Sequence, residues 1–97
     1  MYVKIHVSPT GEIVALCDTE LIGKVLAEGK KRLDLEKYAG FYKGEKISEA
    51  KAVLILSETE NANIVGEKSV KAAKKAGLDI SGTIKIGGVP HLQLYRI

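Results

Sequence analysis

The sequence predicts a small α+β domain, with a mixed or antiparallel sheet of about four to five strands and two main helices packed on it. Three observations support this fold class. Residues 2–8 alternate between apolar and polar side chains, as a half-buried strand does. Residues 63–76 place apolar side chains at helical spacing, with lysines on the opposite side. A chain of 97 residues with 45% hydrophobic residues suffices for one core, so residues 1–97 are expected to form a single domain.

The strands are predicted from alternation and from the turns between them. Residues 2–8 and 12–17 should form a hairpin, because Ser8-Pro9-Thr10-Gly11 has the composition of a tight turn. The alternation around residues 33–35 indicates a further strand, whereas residues 37–46 are expected to form turns. Two strands should close the chain, one at residues 83–86 and one that contains Leu92 and Leu94.

The helices are predicted from their caps. Suitable N-caps are Asp18 or Thr19 for a short turn that Gly23 ends, Ser48 for the first main helix, and Asn61 or Asn63 for the second. Gly77 is placed to end the second main helix, which should run to Ala76. The apolar residues 53–56 are compatible with a buried strand as well as a helix, and the cap favours the helix.

One candidate binding site is the segment that joins the last two strands, residues 87–91. Gly87 and Gly88 permit positive φ angles, and successive N–H groups in such a turn can bind an anion. Pro90 stiffens the exit from the turn. His91 follows it, and its side chain could contact a phosphate or act as an acid or base. The alternative is a tight turn with no ligand. The segment lacks the Lys and Ser/Thr of a phosphate-binding P-loop.

A second candidate is Cys17-Asp18 at the end of a strand, where His6 or His91 could serve as a base for the thiol. The alternative is that Cys17 is a small buried hydrophobic residue, since no third group is evident to orient the pair. The two histidines lie far apart in the chain and have no neighbouring ligand at metal-binding spacing. We therefore expect neither a metal nor a cofactor.

Positive charge concentrates in two segments. Residues 30–46 carry six Lys or Arg against three acids, and residues 63–97 carry six against two, in a chain of net charge +3. Aromatic side chains at residues 38–42 lie among these cations, a combination that single-stranded RNA requires. The alternative for the charges is an ordinary solvated surface. The alternative for Tyr38, Phe41 and Tyr42 is a place in the core, which we expect at least for Phe41. The residues predicted to contact nucleic acid are Lys30, Lys31, Arg32, Tyr42, Lys43, Lys68, Lys71 and Lys75.

Four motifs in order resemble one known family. They are Cys17-Asp18-Thr19-Glu20-Leu21-Ile22-Gly23-Lys24, Phe41-Tyr42-Lys43-Gly44, Asn63-Ile64-Val65-Gly66-Glu67 and Ile86-Gly87-Gly88-Val89-Pro90-His91. Together they are similar to the archaeal domain-of-unknown-function family 424, over nearly the whole chain. The resemblance implies a small single-domain archaeal protein of α+β fold. The family supplies no established activity and no catalytic residues that could be transferred to this chain.

Three hypotheses for the function follow. The leading one is a non-enzymatic module that binds RNA or a ribonucleoprotein. The first alternative is a small enzyme acting on a phosphate ligand, with His91 as acid or base and Cys17 or Asp18 assisting. The second is a structural homo-oligomer. A lone cysteine and the absence of a secretion signal or a long apolar run lead us to expect a cytoplasmic protein with no membrane partner.

Overall fold

The computed structural model describes residues 1–95. A 3-10 helix at Thr19–Leu21 lies among eight strands and three α-helices. The strands are β1 (Tyr2–Ser8), β2 (Gly11–Cys17), β3 (Val25–Glu28), β4 (Lys31–Asp34), β5 (Glu45–Lys46), β6 (Ala62–Val65), β7 (Ile84–Ile86) and β8 (Val89–Leu94). The α-helices are α1 (Ala39–Tyr42), α2 (Glu49–Ser57) and α3 (Glu67–Lys75).

Six strands form one mixed sheet in the order β5-β1-β2-β6-β8-β7. β2 and β6 are parallel, and all the other neighbours in this sheet are antiparallel. The remaining two strands, β3 and β4, form a separate hairpin. The α+β class and the mixed sheet are as the sequence predicts. The predicted numbers of strands (four to five) and of main helices (two) are lower than the numbers found within residues 1–95.

The sheet divides the molecule into two layers, because successive strand residues point to opposite faces. On the helix face, Leu16, Ile64 and Leu92 pack in one core with buried residues of α2 and α3. On the hairpin face, Cys17 and Val65 pack in a second core with β4 and α1. "Helix face" and "hairpin face" are used below in this sense.

The predicted start of the second main helix at Asn61 or Asn63 is wrong. Residues 62–65 form β6, a central strand whose side chains are mostly buried, and α3 begins only after Gly66. The apolar residues Ile64 and Val65 fit a helical spacing, but they are adjacent and face the two different cores. The predicted C-terminus of this helix is correct. Gly77 has φ of +86°, and the Gly77 and Leu78 N–H groups donate to the carbonyls of Lys74 and Ala73.

The segment between β2 and α2 contains more regular structure than its sequence indicates. Instead of one strand around residues 33–35, there is a hairpin of β3 and β4, and residues 37–46 contain α1 and β5 rather than turns alone. These elements are short, so their residue patterns are too brief to show a period. Their stability comes from packing on the sheet, where Leu33, Leu35 and Tyr42 are buried.

The first main helix, α2, is predicted correctly. Ser48 is its N-cap, and its Oγ accepts a hydrogen bond from the Lys51 N–H at 3.2 Å. The apolar residues 53–56 are helical, which resolves the alternative of a buried strand. Only Ala52 and Leu56 of this helix are fully buried, and Leu54 is 70% exposed.

Candidate functional site

The paired glycines form the two-residue turn between β7 and β8, which pairs Ile86 with Val89. Gly87 and Gly88 have φ of +58° and +81°, the geometry that a two-residue hairpin prefers and that side chains disfavour. A Cβ on Gly87 would lie 3.4 Å from the Ala27 carbonyl oxygen, so this turn is packed beneath the β3–β4 hairpin. The hairpin geometry by itself therefore explains both glycines.

The residues of the predicted anion site line different pockets. Gly88 borders a pocket of about 210 Å³ with Asp18, Glu20, Glu67 and Lys68. His91 borders a second pocket of about 220 Å³ with Gly82, Ile84 and Gln93. The acidic lining of the first pocket is unfavourable for phosphate.

His91 belongs to a hydrogen-bonded group on the hairpin face. The Asn63 Oδ1 accepts hydrogen bonds from the Tyr42 hydroxyl at 2.8 Å and from the His91 Nε2 at 2.9 Å. Burial lowers the pKa of His91 below its ordinary value, so the ring is neutral at physiological pH. With the proton on Nε2, the Nδ1 of the neutral ring is a hydrogen-bond acceptor. Sequence reasoning missed Asn63, whose role depends on pairing with two distant segments.

Cys17 is completely buried, and burial together with the neighbouring carboxylates of Asp18 and Glu20 raises the pKa of its thiol to about 12. At neutral pH it is a thiol rather than the thiolate that nucleophilic attack requires. Cys17 pairs with Val65 across β2 and β6, and Val65 pairs with His91 across β6 and β8. Because neighbouring strands lie about 4.8 Å apart, Val65 separates the thiol from the imidazole by two strand spacings. The structure therefore does not bring the predicted pair together.

Asp18 has a clear structural role. Its side chain is buried and does not cap the 3-10 helix that follows it. It caps α3 instead: Oδ2 accepts from the Lys68 N–H at 3.1 Å, and Oδ1 accepts from the Ser69 N–H and Oγ at 2.8 and 2.6 Å. Gly66 makes room for this carboxylate, since a Cβ there would lie 2.3 Å from the Asp18 Cγ.

Residues 30–46 and the lysines of α3 lie on opposite sides of the sheet. The helix face carries α3, whose exposed lysines include the predicted Lys68, Lys71 and Lys75. Lys68 lies 3.9 Å from Glu20, and Lys75 pairs with Glu49, which lowers the pKa of that carboxyl. Acidic partners therefore offset part of the charge on this helix.

The predicted cations of residues 30–46 are exposed on the other side, on the elements that cover the hairpin face. Lys30 and Lys31 lie at the tip of the β3–β4 hairpin, and Lys43 directly follows α1. Arg32 pairs with Asp34 at 3.6 Å. Tyr42, in contrast, is buried, with its hydroxyl bonded to Asn63.

Aromatic rings lie beside some of the cations on this side. Tyr38 is 55% exposed, with the Lys37 Nζ 5.4 Å from its ring centroid. The Lys46 Nζ lies 5.8 Å from the ring of Tyr2. Phe41, which the sequence predicts to be a core residue, is partly buried and packs against the core of the hairpin face. Its ring stacks on that of His6, with the two centroids 4.3 Å apart.

In residues 1–95, no three or more His, Cys, Asp or Glu side chains are grouped so as to hold a metal ion. Over the same residues, none of the helices has the length and apolar character needed to cross a membrane.

Comparison with known proteins gives the family. Residues 5–97 match the family described as "Protein of unknown function (DUF424)". The chain belongs to the DUF424 family. An uncharacterised conserved protein from Methanopyrus kandleri has a similar crystal structure, with a TM-score of 0.81 and 28% sequence identity over 99% of this chain and 93% of that chain. No curated protein matches the chain.

The DUF424 match confirms the family that the four sequence motifs indicate. The Methanopyrus structure supports its archaeal character and shares its fold. Neither comparison carries an activity, so the roles of residues in this DUF424 protein are inferred from their geometry.

Proposed function

We propose that this DUF424 protein is a non-enzymatic module that binds single-stranded RNA across the hairpin face. The observation that carries the proposal is the grouping of exposed or partly exposed rings with unpaired lysines on this side of the sheet. Tyr38 lies under Lys37, Tyr2 lies under Lys46, and Phe41 stacks on His6. Stacked bases and a charged backbone need these two kinds of group close together.

The hairpin face is better suited to RNA than the α3 surface. On α3, Lys68 and Lys75 have carboxylate partners. In the part of the chain that the structure describes, no lysine of α3 lies over an aromatic ring. On the hairpin side, Lys30, Lys31 and Lys43 are exposed, and none of them forms an ion pair within residues 1–95. An ion already paired with protein releases fewer counterions on binding RNA and contributes less affinity.

The polar groups of His91, Asn63 and Gln93 lie on the same face. Bases splayed from a single strand are recognised by stacking and by hydrogen bonds to their edges. The neutral His91 ring and the exposed Gln93 amide border one pocket and offer acceptors and donors of this kind. They supply base contacts next to the cationic and aromatic part of the surface.

The test compares two triple variants that change the net charge equally. One carries Lys30→Glu, Lys31→Glu and Lys43→Glu on the hairpin side, and the matched control carries Lys68→Glu, Lys71→Glu and Lys75→Glu on α3. Fluorescent single-stranded and stem-loop RNAs are titrated at low and moderate salt. We expect the hairpin-side variant to lose most of its affinity. The slope of log affinity against log salt should fall by about 2, since each lost phosphate contact contributes about 0.7.

The control should retain binding and most of the salt slope. Equal losses in the two variants would show that only net charge matters. An affinity that does not change with salt, or no binding by the unmodified protein, would overturn the proposal.

A further inference from the structure

One edge of the main sheet is half open. β5 pairs with β1 at Tyr2 and Val3, and Gly44 lies against Val3 and Lys4. Within residues 1–95, the outer side of β1 from Ile5 to Ser8 has no neighbouring strand. Exposed strand edges of this kind are templates for pairing with another chain. This edge is the starting point of the inference.

The backbone groups that face the open edge can be identified from the pairing pattern. Antiparallel residues alternate between those that bond inward and those that bond outward. Met1 exchanges hydrogen bonds with Ile47 on the outer side, so the odd-numbered residues of β1 point outward. Val3 is paired with Glu45, which leaves the N–H and C=O groups of Ile5 and Val7 free of a strand partner.

The same two residues expose apolar side chains. Ile5 is 47% exposed and Val7 is 77% exposed, and both lie on the helix face because Ile5 pairs with Val14. α2 stands close to this edge, as shown by the 3.4 Å contact between Lys51 and Glu45 of β5. Leu54 lies three residues after Lys51, on the same side of α2, and is 70% exposed. The open backbone edge is therefore bordered by exposed apolar side chains.

We propose that two copies of the chain pair through β1 to form a two-fold symmetric dimer, with Ile5 of each copy opposite Val7 of the other. This antiparallel register places His6 opposite His6 on the axis. The backbone groups of Ile5 and Val7 in both copies then satisfy one another. Ile5 and Val7 also become cross-strand neighbours on the helix face, a contact that favours sheet pairing.

Neighbouring registers do not achieve this pairing. Placing Ile5 opposite Ile5 would require Val7 to pair with Val3, whose outward groups are already bonded to Glu45. Placing Val7 opposite Val7 would put Ile5 opposite Pro9, which has no N–H to donate. The free segment is thus complementary to itself in a single antiparallel register, and for this reason we assign the edge to a second copy of the chain.

The dimer would join two six-stranded sheets into one continuous sheet. The two-fold axis of such an antiparallel pair is perpendicular to the sheet, so both hairpin faces would point to the same side. The inference goes beyond the RNA-binding proposal and does not depend on it. Because the strand contact is short, we expect a Kd in the micromolar range.

The test uses sedimentation equilibrium of the full chain across a range of concentrations. Ile5→Glu alone and Val7→Lys alone each place a charge opposite an apolar side chain and should weaken dimerisation at least tenfold. The double variant places the new carboxylate opposite the new ammonium group of the other copy, twice. It should recover most of the affinity, a result that only this register predicts.

Val25→Lys is the matched control, since Val25 is 44% exposed on the separate β3–β4 hairpin. It should leave the dimer unchanged, and thermal melting will show that every variant folds. An unmodified protein that stays monomeric at about 1 mM would overturn the proposal. A dimer insensitive to both single substitutions, or one that the double variant fails to restore, would also overturn it.

Discussion

At the residue scale, His91 shows how one hydrogen bond fixes the chemistry of a side chain. Its Nε2 is held by the Asn63 Oδ1, which also accepts the Tyr42 hydroxyl proton. Burial raises the pKa of Tyr42 and lowers that of His91, so both groups are held neutral. A neutral, fixed imidazole is better suited to binding through hydrogen bonds than to neutralising a phosphate.

The His91 environment predicts a pH dependence of stability. The folded-state pKa of His91 is lowered, so the unfolded chain takes up the proton more readily as the pH falls. The contribution of His91 to the free energy of unfolding is fully present above the ordinary histidine pKa of about 6.5 and is lost as the pH falls below it. From this one group, the free energy of unfolding cannot change by more than about 1.4 kcal/mol per pH unit.

Urea unfolding of the native chain and of His91→Gln between mildly alkaline and mildly acidic pH measures this contribution. Gln keeps an N–H donor for Asn63 but does not titrate. We expect the variant to lose less stability than the native chain on acidification. Parallel curves for the two proteins would contradict the assigned environment of His91.

At the scale of elements, Asp18 joins the end of β2 to the start of α3. Its carboxylate accepts three hydrogen bonds, two from α3 backbone N–H groups and one from the Ser69 hydroxyl. Gly66 has φ of +110° and no side chain, so β6 turns directly into α3 beside the carboxylate. Asp18 therefore serves to fix α3 against the sheet, and this explains its burial.

Asp18→Ala should destabilise the fold by at least about 2 kcal/mol, because it leaves buried donors of Ser69 and the α3 N-terminus without an acceptor. Asp18→Asn keeps one acceptor oxygen and should cost less. Thermal and urea unfolding of both variants measure the difference. A loss below about 0.5 kcal/mol for Asp18→Ala would show that the cap is unimportant.

Local sequence was sufficient for some elements and insufficient for others. The first hairpin, the Ser48 cap and the Gly77 end of α3 are each encoded within a few residues, and they were predicted correctly. The sequence of β6 instead indicates the start of a helix, because the place of this strand in the centre of the sheet depends on its pairing with β2 and β8. Likewise, the residues that Asp18 caps are 50 and 51 positions away, and no local pattern reveals them.

At the scale of the whole molecule, the sheet separates the two basic segments. From sequence alone, the lysines of residues 30–46 and those of α3 could have formed one surface. The elements that carry them pack on different faces, since α3 contributes to the core of the helix face and β4 and α1 contribute to the core of the hairpin face. Charge counting therefore locates the cationic residues but cannot predict which of them lie on the same side of the sheet.

RNA binding on the hairpin face is tested most directly by mapping RNA contacts on the isotope-labelled protein by NMR. A short single-stranded RNA is added, and backbone amide shifts are followed residue by residue. We expect shifts in α1, in the β3–β4 hairpin and at residues such as His6 and Gln93, with α3 little changed. Shifts confined to α3, or none at an RNA concentration of about 1 mM, would contradict it.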